Sequence, residues 1–269
     1  MPITGYSNII SVTTLYDSDA QAFFDRVTTA GGSLSTTEQD AVNTLVLQMK
    51  IDGIWTKMKA IYPMVGASAS ACSQNLKSSS FTGTFTATGW TFASTGVTPN
   101  GTSAYMDTGF LPSTNSTADN VHLSFYSRTN NSYGFFPVEM GSEVANGSTA
   151  FALAVRMPAD PFKGRIGGGV AVSYSNSDSS GFYCVSRISS TNIFGQKNGT
   201  TQATNTTSQS FQNVPFNIWI GCLNNANSVN IPSNRQCAFA SIGDGLSTTE
   251  ASNFYTAVQA FQTTLSRNV

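Results

Sequence analysis

Glu139 and Glu143, in the stretch VEMGSEV, are the nearest approach in this 269-residue chain to the paired carboxylates that cleave glycosidic bonds. Such a pair needs two carboxyl groups roughly 5–10 Å apart across a cleft, one to protonate the leaving oxygen and one to attack or to activate water. Gly141 stands between the two and reads as a turn or bulge, which would leave both on the surface without a shared face. His122 is the one histidine, and no G-x-S-x-G elbow exists to carry a serine nucleophile. It is expected on the solvated side of a strand. Asp107, Asp119, Asp160, Asp178 and Asp244 fall in loop-like settings that suit calcium, but they are scattered singly, and Asp244 between two glycines is explained as a turn residue. Cys72, Cys184, Cys222 and Cys237 lie far apart with no C-x-x-C pair, so a zinc site is not expected; the last three sit in apolar runs and read as buried thiols. Neither a metal nor a cofactor is expected. Asn100, Asn115, Asn146, Asn198 and Asn205 match the glycosylation acceptor pattern, as an Asn/Thr-rich chain does by chance.

Binding chemistry is better represented. In VHLSFYSR, alternation puts Val121, Leu123 and Phe125 on one face and His122, Ser124, Tyr126 and Arg128 on the other. FALAVR sends Phe151, Leu153 and Val155 inward and Arg156 outward, and FYCVSRI sets Phe182, Cys184 and Ile188 against Tyr183 and Arg187. Tyr126, Arg128, Arg156, Tyr183 and Arg187 would then share one polar sheet face. Aromatic rings with guanidinium groups suit sugar hydroxyls; the same residue types are also enriched at subunit contacts, or they form a plain solvated face.

The composition narrows the partners. Net charge is -1 and only 10% of residues are charged, against roughly 25% in ordinary soluble domains. No basic field is present to hold nucleic acid or an anionic membrane. No stretch approaches the roughly 18 apolar residues of a membrane span. The start, MPITGYSNIISVTTLYDSDA, lacks the basic and apolar regions of a secretory signal. A polar, hydroxyl-rich surface without an export signal leads us to expect a particle component assembled inside a cell and released by lysis.

The elements that must position these residues are punctuated by a repeated phrase. LSTTE occurs at 34–38 and at 246–250, and in each copy a serine followed three residues later by Glu forms a capping box. Ala41, Leu45, Val46 and Met49 follow the first at helical spacing; Phe254, Ala257, Val258, Phe261 and Leu265 follow the second. The helical pattern of the first region continues through Ile54, Trp55, Met58 and Ile61 to Pro63. After Gly66 the pattern turns to β: residues 81–92, 121–128, 151–156, 170–174, 182–188, 216–223 and 236–242 alternate, with Gly/Asn/Ser clusters between them. Asn198-Gly199 supplies the two positive-φ positions of a type I′ hairpin turn. The expected fold is mainly β, an antiparallel β-sandwich of jelly-roll type, preceded by a short helical region and closed by a C-terminal helix.

Four phrases carry a resemblance: GVTPNGTSAYMDTGF at 96–110, HLSFYSRTN at 122–130, VSRISSTNIFGQKNGT at 185–200 and FASIGDGLSTTEASNFYTAVQAF at 239–261. They resemble the concanavalin A-like, laminin G-like jelly rolls, in which a strand ending in Ile-Gly leads through a Leu-Ser phrase into a short helix. DAQAFFDRV and IWTKMKAIYPMVGASASAC resemble the leader that accompanies this domain in bacteriophage structural proteins. The resemblance implies an extended arm at 1–16, a helical leader at 17–66, and a jelly roll at 67–269 with its terminal helix at 247–265.

It further implies a non-enzymatic virion component, a capsid decoration, spike or fibre part, exposed on a particle assembled in the host cytoplasm. Expected partners are other virion proteins, further copies of the chain in a homo-oligomer, and host cell-surface glycans. A free-standing lectin module, or a glycoside hydrolase, are the alternatives. Such folds host all of these uses, so the site must decide.

Overall fold

The computed structural model describes residues 15–159 and 161–269. The arm expected at 1–16 therefore lies almost wholly outside the described residues, as does Asp160.

Two capping boxes start the two long helices. Helix α1 (Ser18–Thr29) is capped by Asp17, α2 (Thr36–Ile51) by Ser35 with Glu38, and α5 (Thr248–Thr264) by Ser247 with Glu250; α3 (Ala69–Cys72) and α4 (Pro112–Asn115) are single turns. Both glutamates also reach across the fold, Glu38 accepting from the Gly66 N–H (2.8 Å) and Glu250 from Lys57 Nζ (2.7 Å). Each LSTTE phrase thus starts a helix and fixes it to the segment around 57–66.

That segment differs from its expected helical continuation. Gly53, at φ +70°, ends the helix; a 3-10 turn at Trp55–Lys57 follows, and then strand β1 (Met58–Tyr62). Met58, Ala60, Ile61 and Tyr62 are all buried, so both faces of this stretch are apolar, and its run Met58/Ile61 is matched by helix and strand alike. The expected boundary at 66/67 falls between β1 and the remainder of the same sheet.

The eight-stranded sheet contains β1, β3 (Trp90–Ala93), β4 (Gly96–Pro99), β6 (Val121–Ser127), β11 (Gly181–Ser189), β12 (Asn192–Lys197), β13 (Thr200–Asn205) and β17 (Cys237–Gly243). Its order is β13-β12-β11-β6-β17-β4-β3, with β1 also on β17. The nine-stranded sheet contains β2 (Thr84–Phe85), β5 (Met106–Asp107), β7 (Met140–Glu143), β8 (Ala150–Ala154), β9 (Pro161–Ile166), β10 (Ala171–Ser175), β14 (Trp219–Ile220), β15 (Leu223–Asn225) and β16 (Ser228–Asn230). It runs β10-β9-β8-β7-β14-β5-β2, with β15 on β7 and β16 on β15. Every pairing is antiparallel except that of β15 with β7. The hairpin between β12 and β13 turns at Asn198 and Gly199, at φ +48° and +74°, as the Asn-Gly signal predicts.

The layers are helices, eight-stranded sheet, nine-stranded sheet. Leu123, Phe125, Phe151, Leu153, Val185 and Ile242 pack between the sheets. The far side of the eight-stranded sheet is roofed by α1, α2 and α5, whose Phe23, Val46, Phe254 and Phe261 join Tyr126, Phe182 and Phe239 in a second core. Burial of this apolar area at roughly 25 cal/mol per Å² is what holds helices and sheet together. All four cysteines are buried thiols.

The roof changes the meaning of alternation. His122 and Ser124 point away from the sandwich interior as expected, yet they are fully buried beneath α5, so the expectation of a solvated His122 is corrected. Asp244 O accepts from His122 Nδ1 (2.7 Å), which fixes the neutral tautomer; Nε2 then accepts from Ser241 Oγ (3.0 Å), and Ser241 accepts from Ser124 (2.7 Å). The polar face is a closed hydrogen-bond chain.

Candidate binding face

The five residues expected on one polar face are not brought together. Tyr126 lies under the helical roof, its hydroxyl donating to Gln259 Oε1 (3.0 Å) and accepting from Val269 N–H (3.0 Å). Arg128 is half-buried and donates from Nε to Arg267 O (2.6 Å) and from Nη1 to Gln236 Oε1 (2.8 Å). Arg156 stands in the β8–β9 loop with Nη1 on Asn130 Oδ1 (3.3 Å). Tyr183 faces the opposite way from Tyr126, into the sandwich, with its hydroxyl on Asp178 O (2.5 Å) and its ring stacked on Phe162. Arg187 is fully buried, donating to Ile166 O and Gly167 O (2.9 and 2.6 Å) and paired with Asp119 (2.5 Å). The sorting of FYCVSRI is reversed: Phe182 and Cys184 face the helices, while Tyr183 and Arg187 face the second sheet. With both sides of β11 covered, polarity does not distinguish inside from outside.

The carboxylates also differ from expectation. Glu139, expected at the surface, is fully buried and bound by Arg235 Nη1 (2.6 Å), Ser233 Oγ (2.9 Å) and Val155 N–H (2.7 Å). Gly141 marks a close approach inside β7, where a Cβ would stand 2.5 Å from Phe151 O. Asp119 pairs with Arg187, Asp178 with Lys197 and Asp244 with Lys59. Among the described residues, no three His, Cys, Asp or Glu side chains gather where they could hold a metal ion. Asn100, Asn146 and Asn205 each accept backbone N–H bonds from residues two positions on, so these sequons are turn builders.

No helix lies over the outer face of the nine-stranded sheet, but its centre is nearly buried: Ala150, Ala152, Ala154 and Leu223 are 0–8% exposed in a small cluster with Val138, Met157 and Ile231. Ala150, Ala152 and Ala154 point outward from β8 while Phe151 and Leu153 point in. The register sets Gly141 beside Ala152 with Leu223 on the far side of Gly141, Glu143 beside Ala150, and on the other flank Arg165 beside Ala152 and Lys163 beside Ala154. Because these residues are small, the sheet surface sinks into a shallow groove of about 170 Å³ whose walls include Val138, Met157 and Ile231. Enclosed small-molecule sites hold roughly 300–1,000 Å³; a shallower open groove suits part of a longer chain.

Its polar groups are arranged along the strand direction. Glu143 Oε1 accepts from Asn225 Nδ2 (3.0 Å) and Asn230 Nδ2 (3.4 Å). Arg165 Nη2 donates to Gly147 O, Ser148 O and Gly168 O (2.9, 3.1 and 3.1 Å), which fixes the two turns at that end. Burial pulls the Arg165 guanidinium pKa down and the Glu143 charge opposes the shift. Lys163 is exposed at the other end.

The chain leading into the groove wall at Val138 carries an aromatic loop. Phe135 and Phe136 are 42% and 53% exposed, and Pro137-Val138 lead from them straight into the groove wall. Tyr133 anchors the loop, its ring 4.6 Å from the Arg235 guanidinium and its hydroxyl accepting from the Asn234 N–H (2.7 Å). A larger hollow of about 500 Å³ lies between the start of α2 and the end of α5, but its one carboxylate, Glu38, is already engaged by Ser35 and Gly66. Its one charged group serves the fold.

Apart from Glu143, the groove residues do not stand out in the sequence. PFKGRI alternates, Phe162 and Ile166 in, Lys163 and Arg165 out, but Gly164 hides the strand; it is glycine because a Cβ there would meet Val185 at 2.6 Å. Phe135 and Phe136 follow a Gly in a polar loop, and that exposed aromatic pair was the available signal.

Fold and groove together define an antiparallel β-sandwich with one roofed and one open sheet. No family model matches the chain, and no curated protein does. Among solved structures it is similar to domain 4 of AbnA, a GH43 extracellular arabinanase from Geobacillus stearothermophilus in complex with arabinotriose, at 12% identity and TM-score 0.50, over 74% of this chain and 98% of that one. It is also similar to the Ruminococcus gnavus IT-sialidase CBM40 bound to α2,3-sialyllactose (13% identity, TM-score 0.37, 48% of this chain and 77% of that one). The NanB sialidase of Streptococcus pneumoniae follows at 12% identity and TM-score 0.39, over 51% of this chain and 24% of that one. At 12% identity the likeness to the arabinanase domain is one of fold.

Proposed function

We propose that this protein is a non-enzymatic glycan-binding component of a bacteriophage particle, with the open face of the nine-stranded sheet as its binding surface. The observation that carries the reading is an asymmetry: three helices roof one outer sheet face, whereas the other, free of helices, carries a narrow groove over nearly buried alanines, rimmed by Glu143, Lys163 and Arg165. Flat apolar surface accepts the C–H face of a sugar ring, and Asn, Glu, Lys and Arg groups accept and donate to its hydroxyls. The arabinanase domain that shares the fold was seen with arabinotriose, which supports a saccharide as the ligand class.

The non-enzymatic reading is supported by Glu139 being held in the core by Arg235, which leaves Glu143 without it on the groove. The virion role rests on the resemblance of 17–66 to phage leaders, and the roofed side is the natural mount, turned toward other virion proteins or further copies. The test is to find the chain in purified particles by mass spectrometry and to measure its retention on host surface polysaccharide. Retention without release of reducing ends is expected; reducing-end release, or no retention by folded protein, would overturn the binding reading, and absence from particles would overturn the virion role.

A further inference from the structure

All thirteen basic side chains of this protein lie in described residues, and twelve of them are engaged. Lys50 pairs with Asp17 and Asp19, Lys57 with Glu250, Lys59 with Asp244 and Lys197 with Asp178, while Lys77 donates to Trp55 O. Each arginine donates to a carbonyl or carboxylate, or in the case of Arg156 to Asn130. Lys163 alone has no hydrogen-bond or ion-pair partner among the described residues, and it is the one that stands on the open groove.

Among the described residues its surroundings are electrically bare. Across the ladder it faces Ala154 on one side and Ser173 on the other, and Ser173 Oγ is already committed to Phe162 O (2.7 Å). The acid in the groove, Glu143, pairs with Ala150, whereas Lys163 pairs with Ala154. Four residues of strand separate the two, roughly 13 Å at about 3.3 Å per residue, too far for an ion pair. Arg165, between them, adds a second positive charge and spends Nη2 on backbone carbonyls. In a chain with 10% charged residues, two cations on one apolar groove against a single distant, amide-bonded carboxylate leave that end positive.

From this, and resting on the glycan-binding reading above, we infer that the groove takes an anionic glycan, with a sugar carboxylate or sulfate held at Lys163. An ammonium on an apolar floor forms a charge-assisted hydrogen bond with such an anion. The protein's overall charge of -1 repels polyanions weakly, so retention on them requires a local positive site.

The test uses the whole protein against polygalacturonate, carboxyl-reduced polygalacturonate, dextran sulfate and dextran, at low and high salt. Binding to an acidic polymer, weakened by salt and reduced about tenfold or more by Lys163→Glu, with Lys163→Arg restoring it, is expected. Preference for polygalacturonate or for dextran sulfate assigns carboxylate or sulfate as the anion. Equal binding of the acidic and carboxyl-reduced or neutral polymers, indifferent to Lys163→Glu, overturns the inference and leaves the glycan-binding reading standing. Binding to none of the four by protein shown to be folded from its thermal transition overturns the inference, and retention on host surface polysaccharide then decides the glycan-binding reading separately.

Discussion

Glu139 and Arg235 are fully buried and 2.6 Å apart, joining the strand that borders the open groove to the entry of β17. Arg235 also donates from Nη2 to Asn131 O and Arg156 O (2.9 and 3.1 Å), so this one pair ties together the β6–β7 and β8–β9 loops. Removing one member leaves the other charge stranded in the core. Glu139→Gln is expected to lower stability by about 3–5 kcal/mol, read from urea unfolding. A variant as stable as the parent would show that the pair does not organise these loops.

His122 predicts a pH dependence. Burial pulls its pKa from 6.5 down to about 4, so the unfolded chain takes up the proton first and stability is lost as pH falls. The contribution of the neutral ring is complete above about pH 6.5 and drains toward pH 4, with roughly 2 kcal/mol gone by pH 5. His122→Gln removes that slope. Thermal transitions at pH 7 and pH 5 should therefore separate for the parent by more than for the variant; equal separations would contradict the hydrogen-bond chain through Ser241.

Arg128 belongs to the fold. Its Nε bond to Arg267 O (2.6 Å) holds the segment whose guanidinium donates to Pro63 O (2.6 Å) and Ala238 O (2.8 Å). Arg128→Ala should cost about 1–2 kcal/mol by leaving the Arg267 carbonyl without its donor, while polysaccharide binding is unchanged. Loss of binding by the folded variant would return Arg128 to the site.

The edge strand β3 carries Trp90, Thr91, Phe92 and Ala93 without a charge to discourage pairing. If copies associate through it, Thr91→Lys, on its exposed position, should shift the protein toward monomer in sedimentation velocity. A parent that is already monomeric at high concentration would remove the expectation of a homo-oligomer through this edge.

The architecture was largely legible because its signals are local. Ser35/Glu38 and Ser247/Glu250 form the two capping boxes, Asn198-Gly199 makes the hairpin, and the alternation of 121–127 and 150–154 marks strands. The candidate face was not legible, because alternation states which residues share a side and not what covers that side. Tyr126 and Arg128 do sit opposite Leu123, but α5 and the C-terminal residues close over them. Conversely, the strand bearing Lys163 was obscured by Gly164, whose small size answers to Val185 in the sheet beneath. β1 was lost for a related reason: a strand apolar on both sides has no period to reveal it.

The most direct measurement of the central claim fills the groove. Ala152 lies at its floor, 8% exposed, between Arg165 and Gly141 in the register. Ala152→Trp fills the groove on the side away from the roofed core; because Ala152 is nearly buried the indole must push the groove walls apart, at about 1–3 kcal/mol, so a cooperative thermal transition is first required to show that the variant folds. Titration of host surface polysaccharide into both proteins is expected to give binding for the parent and none for Ala152→Trp. Undiminished binding by the folded variant would contradict the assignment of the open sheet face as the ligand site.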